Sequence, residues 1–174
     1  MRLPVQKSNR GRLAARILPP LTTRMIDKLA WVRLENGAVL TARSRNRDRY
    51  YLPGGKREAG ETDHQALARE IREELRVELL PATLQPVGEI VAQAHGQAAG
   101  TAVRMRCFSG DYTGQLTPAA EIEAIAWLTY ADRGKVSEVT ALIFDFLHAR
   151  GLLPAPFPSP FAPGPLPLRD ANPN

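Results

Sequence analysis

An α/β layered sandwich is the fold class that this sequence predicts, and three observations predict it. Both the two-residue period of strands and the 3.6-residue period of helices occur between residues 25 and 151; only two segments carry the helical period; and the connections are short. Strands mixed with two helices and joined this way pack as layers rather than as a barrel or a bundle.

The elements follow in order. Ile26 to Arg33 and Ala38 to Arg43 alternate as short strands around Glu35-Asn36-Gly37, a strong hairpin signal. Further strands are predicted at Tyr50 to Leu52, Val87 to Ala92, Val103 to Asp111 and Ile125 to Leu128. The first helix runs from Asp63 to Leu75, opened by Thr62 with Gln65 three residues on as a capping box. A second runs from Ser137 to Arg150, with Val139, Leu142, Ile143, Phe146 and Leu147 on one face and Gly151 as its stop. Residues 1–24 lack an apolar period and contain Pro4, Pro19 and Pro20, so they read as a basic, disordered extension. Residues 152–174 hold eight prolines among few charges, a composition that blocks helices and sheet ladders and predicts a disordered tail.

Composition narrows the function. At 174 residues the chain suits one domain. No apolar run approaches the roughly 20 residues of a membrane-spanning helix, so no membrane partner is expected. The net charge of +5 suggests nucleic acid until it is located. Six basic residues and no acidic one lie in residues 1–24, which leaves the remainder at minus one and argues against a stable nucleic-acid complex. The single cysteine, Cys107, alternates with Val103 and Met105 as a core thiol, and a reducing, cytoplasmic location fits it.

The informative stretch is Tyr51-Leu-Pro-Gly-Gly-Lys-Arg-Glu-Ala-Gly-Glu61, followed on the first helix by Arg69-Glu70-Ile71-Arg72-Glu73-Glu74. At 100° per residue Glu70, Glu73 and Glu74 fall within an arc of about 100°, beside the apolar stripe of Leu67, Ile71 and Leu75. Hard divalent cations bind such oxygen sets in near-octahedral geometry and keep waters that a phosphate can replace. Like charges on an exposed helix cost only a few tenths of a kcal/mol, so a solvated acidic face remains an alternative on energy alone. The preceding loop tips the balance, because Pro53 fixes its entry while Gly54, Gly55 and Gly60 permit a backbone that approaches phosphates closely.

Gly55, Glu61, Arg69, Glu70, Ile71, Glu73, Glu74 and Val77 stand in register with the signature of the Nudix hydrolase family, which this stretch resembles. A chance match of these eight is on the order of one in a million from average residue usage. One position departs, since the family's penultimate Gly is Arg76 here. The resemblance implies an α/β/α sandwich with a mixed sheet, and Mg2+ or Mn2+ bound by Glu70, Glu73 and Glu74 with the Gly54 carbonyl. It further implies that Arg69 braces a carboxylate and that Glu61 supports the loop or a metal-bound water. Glu70 is the first candidate for the catalytic base. Glu121 is the second, though a surface charge would explain it equally well.

The substrate end is less legible. Arg43, Arg45, Arg47 and Arg49 lead into the glycine loop, and with Gly55 and Lys56 they are candidates for holding phosphates. Trp31, Trp127 and Tyr130 offer rings to a base but suit the core as well. Of His64, His95 and His148, only His95 merits a test near the site. Gln93 stands where ADP-ribose and dinucleoside polyphosphate subclasses of the family show proline or tyrosine nearby, so a nucleoside triphosphate, ordinary or oxidised, becomes the expected substrate. The product would be a monophosphate plus pyrophosphate, formed by a monomer or homodimer. ADP-ribose, a sugar nucleotide, isopentenyl diphosphate isomerisation and binding without turnover are the competing readings.

Overall fold

The computed structural model describes the backbone of residues 13–17 and the whole of residues 24–94 and 97–155. Nine strands and two α-helices occur among them: β1 (Leu13–Ile17), β2 (Arg24–Trp31), β3 (Leu34–Glu35), β4 (Ala38–Ser44), α1 (Asp63–Leu75), β5 (Glu78–Leu79), β6 (Gln85–Gln93), β7 (Thr101–Ser109), β8 (Tyr112–Thr113), β9 (Ile122–Leu128) and α2 (Glu138–Ala149).

The larger sheet has the order β1-β6-β7-β2, and it is mixed. β2 runs parallel to β7 and β1 parallel to β6, while β6 and β7 are antiparallel. The smaller sheet, β3-β4-β9, is antiparallel, with Asn36 and Gly37 both at positive φ in the β3–β4 turn. Alternation along β2 separates the two cores. Leu29 and Trp31 pack with Leu67, Ile71 and Leu75 of α1. Ala30 and Val32 pack with Met105 and Cys107 and with Ile143, Phe144 and Leu147 of α2. The helices therefore cover opposite faces of the larger sheet, the α/β/α arrangement expected, and each fully buried large side chain contributes about 1.5–3 kcal/mol.

Both helix starts follow the sequence. Gln65 N–H donates to Thr62 Oγ1 at 3.3 Å and Thr62 N–H donates to Gln65 Oε1 at 2.9 Å, completing the capping box. Ser137 caps α2, whose buried stripe is rotated from the expected one: Thr140 and Phe144 are fully buried while Leu142 and Phe146 are only partly so. The structure differs from expectation in three further places. Leu13–Ile17, placed in the unstructured extension, pairs in parallel with Gly88–Ala92, because the edge of β6 offers a free row of backbone groups. Tyr50 to Leu52 forms only isolated bridges, Ala42 to Tyr51 and Tyr50 to Val136, as Pro53 ends any ladder. Leu153, placed in the tail, is fully buried, and its N–H donates to the Leu147 carbonyl. Residues 156–174 of that expected tail lie outside the described residues, as do residues 1–12 and 18–23 of the extension. No helix among the described residues is long and apolar enough to cross a membrane.

Candidate active site

The glycine loop is stitched to β2 by alternate residues. Trp31 N–H donates to the Pro53 carbonyl at 2.9 Å and Leu29 N–H to the Gly55 carbonyl at 2.8 Å. Gly54, between them, faces the helix, and its N–H donates to Glu74 Oε2 at 2.9 Å. Gly54 is required by the backbone, and Gly55 by the position of the Glu70 side chain. Gly54 has φ +135°, and a Cβ there would lie 2.3 Å from the Leu29 carbonyl oxygen. A Cβ on Gly55 would lie 2.2 Å from the Glu70 carboxyl carbon, so the loop and the helix carboxylate share one small space.

Arg69 ties the motif together. Its Nε donates to Glu61 Oε1 at 2.7 Å and its Nη2 to Glu61 Oε2 at 3.0 Å, a two-pronged pairing. Nη1 donates to Glu70 Oε1 at 3.1 Å and stands 3.5 Å from Glu73 Oε2, while Nη2 also donates to the Lys56 carbonyl at 3.0 Å. Glu61 Oε2 accepts a further bond from Glu58 N–H at 2.8 Å. The hydrogen bonds from Arg69, then from Glu58, hold the Glu61 carboxyl down at about 2.

Glu74 is only 7% exposed. Burial pushes its carboxyl up to about 8; the Gly54 N–H pulls the other way, Glu121 and Glu70 add to the rise, and Lys28 opposes it. Lys28 is itself pulled down by burial, against the pull of Glu74, with Lys56 and Arg47 adding to the fall. All donors in the set are oxygens, and a buried carboxylate without full countercharge fits a divalent cation. As they stand, no three His, Cys, Asp or Glu side chains among the described residues converge on one point, and Glu73 is 54% exposed.

Glu121 lies on the turn before β9, exposed and close enough to Glu74 to act on its charge. Arg45 braces that turn: its N–H donates to the Glu121 carbonyl at 2.9 Å and its guanidinium to the Ala120 carbonyl. Arg43 lies 5.4 Å over the Tyr50 ring and 3.5 Å from Glu123, with its Nε buried and unbonded. Trp31 is a core residue, fully buried, with Nε1 donating to the Gly110 carbonyl at 3.2 Å. Cys107 is buried and its thiol pushed up to about 12, so it offers no nucleophile for an isomerase. His64 and His148 pack against Phe108 and Tyr130, and His95 lies outside the described residues. Lys28 is the residue that sequence reasoning missed. Its signal was a lysine at a period-two position between Ile26 and Ala30, where an apolar side chain is expected.

The chain is similar to known proteins in sequence and in fold. A family model described as NUDIX domain matches residues 24–145. A curated Mycobacterium tuberculosis protein, provisionally named 8-oxo-dGTP diphosphatase 2, is 35% identical over 98 residues, 52% of this chain and 68% of the relative. The solution structure of the E. coli ORF135 protein is 26% identical, with TM-score 0.59 over 76% of this chain and 95% of that one. The crystal structure of the MutT protein from Methanosarcina mazei Go1, 19% identical, has TM-score 0.61 over 75% of this chain and 98% of that one, a likeness of fold.

Proposed function

Because this chain belongs to the NUDIX family and is a pyrophosphohydrolase of that family, we propose that it hydrolyses a nucleoside triphosphate, ordinary or oxidised, to the monophosphate and pyrophosphate in a magnesium-dependent reaction. The observation that carries this reading is the junction of the glycine turn and α1, where Gly54 meets Glu74 and Gly55 meets Glu70. The Mycobacterium relative's name supplies the candidate substrate, 8-oxo-dGTP.

Glu70, Glu73 and Glu74, with the Gly54 carbonyl, would hold Mg2+ or Mn2+. A bound divalent cation neutralises phosphate oxygens and makes water more acidic. Arg69 fixes Glu61 and steadies Glu70, so the helix carboxylates and the loop keep one spacing. Glu70 takes the proton from the attacking water, with Glu121 as the second candidate. The water oxygen forms a bond to one phosphorus of the α–β bridge, the bridging P–O bond breaks in line, and monophosphate and pyrophosphate separate. Lys56, Arg43 and Arg45 are the phosphate-side cations of this reading, and Arg45 also braces the Glu121 turn.

The test is product analysis after incubation with 8-oxo-dGTP and the common triphosphates, with Mg2+ and with EDTA. Monophosphate and pyrophosphate formed only with Mg2+ support the proposal. A different pair of products, or turnover in EDTA, contradicts it.

A further inference from the structure

Lys28 has no part in the chemistry just described, yet it reaches the same place. It lies on β2 opposite Met105 of β7, on the side that faces the smaller sheet. There it lines a small cavity of about 50 Å³ whose walls are mainly apolar, from Ala42, Leu52, Met105 and Ile122. Glu74 and Gly54 stand at the same cavity, so it opens from the loop–helix junction where the phosphates are proposed to sit. A cavity of this size is well below that of a whole ligand pocket, so it admits the edge of a flat heterocycle rather than the ring itself.

Among the described residues, no hydrogen bond or ion pair engages the Lys28 ammonium. An ammonium offers three donors and no acceptor. A half-buried cation without a bonded partner is costly, and a ligand oxygen relieves that cost. An amino group turned toward it finds no acceptor to donate to, and leaves donors on both sides unpaired.

Resting on the nucleotide reading above, we propose that Lys28 is a specificity residue: its ammonium donates to a keto oxygen on the edge of the nucleobase, so that keto-edged bases are taken over amino-edged ones. Lys28 would thus separate guanine, 8-oxoguanine and thymine from adenine and cytosine, while the phosphates are held elsewhere.

The experiment measures kcat/KM with Mg2+ for dGTP, 8-oxo-dGTP, dTTP, dATP and dCTP, on wild type, Lys28→Met and Lys28→Gln, with thermal melts alongside. The wild type is expected to favour the keto group, and Lys28→Met to reduce the keto-to-amino ratio about tenfold or more. Lys28→Gln, which keeps a polar side chain and adds an acceptor, is expected to narrow the ratio by raising the amino-edged substrates. A wild type without keto preference overturns the inference, and so does an equal fall for all five substrates in both variants. Wild-type turnover of none of the five overturns the nucleotide reading, and the inference with it.

Discussion

The N–H of Gly54 donates to Oε2 of Glu74 at 2.9 Å, joining the glycine turn to a carboxyl that burial pushes up to about 8. That link has a pH consequence. In the folded, metal-free protein Glu74 holds its proton well above the ordinary value of 4.5, so the folded state binds more protons than the unfolded one between about pH 4.5 and 8. Stability must fall as pH rises through that window, on the order of a few kcal/mol in total; the penalty is absent below it and fully present above it. Thermal melts in EDTA check the sign. A cation that binds the ionised form reverses the loss, so Mg2+ should raise the melting temperature more near pH 8.5 than near pH 5.

Arg69 grips Glu61 through Nε and Nη2 while Nη1 reaches Glu70. Arg69→Lys keeps the charge and loses the planar fork, so kcat/KM should fall roughly 10- to 100-fold while the melting temperature moves little. Steady-state kinetics with matched melts decide it, and retained activity would remove the bracing role.

The two glycines should fail differently. At Gly54 an added Cβ meets backbone, the Leu29 carbonyl oxygen at 2.3 Å, and φ is +135°. Gly54→Ala is therefore expected to destabilise the fold by about 3 kcal/mol or more. At Gly55 the added Cβ meets the end of the Glu70 side chain, which can swing away. Gly55→Ala should keep most of its stability and lose roughly 100-fold or more in kcat. Chemical denaturation and turnover, measured on both, separate the two effects.

Arg76 ends α1 at φ 56° and ψ 31°, the left-handed conformation, with its N–H on the Arg72 carbonyl at 3.0 Å. The helix therefore ends on Arg76 in a left-handed conformation that a glycine adopts at less cost. Arg76→Gly should stabilise the protein by up to about 1 kcal/mol, or roughly 2–4 °C in melting temperature. An unchanged or lower melting temperature would contradict this.

Much of this was legible in the sequence, for identifiable reasons. The capping box at Thr62 and Gln65, the Asn36-Gly37 turn and the helical stripe of Leu67, Ile71 and Leu75 are local signals, and each formed as read. What escaped depended on partners distant in sequence. β1 exists because β6 presents an edge, and nothing within Leu13–Ile17 announces that. The bonds of Arg45 to the carbonyls of Ala120 and Glu121 join segments 75 residues apart, which no local pattern announces. The load on Glu74 comes from burial together with Glu121 and Glu70, and only the folded chain assembles that environment.

The most direct measurement is Mn2+ binding, followed by electron paramagnetic resonance, to wild type, Glu73→Gln and Glu74→Gln, with melts to show that each variant folds. Wild type is expected to immobilise Mn2+, and both variants to lose about tenfold or more in affinity, in parallel with loss of pyrophosphate release. Undiminished Mn2+ binding in both folded variants would contradict it.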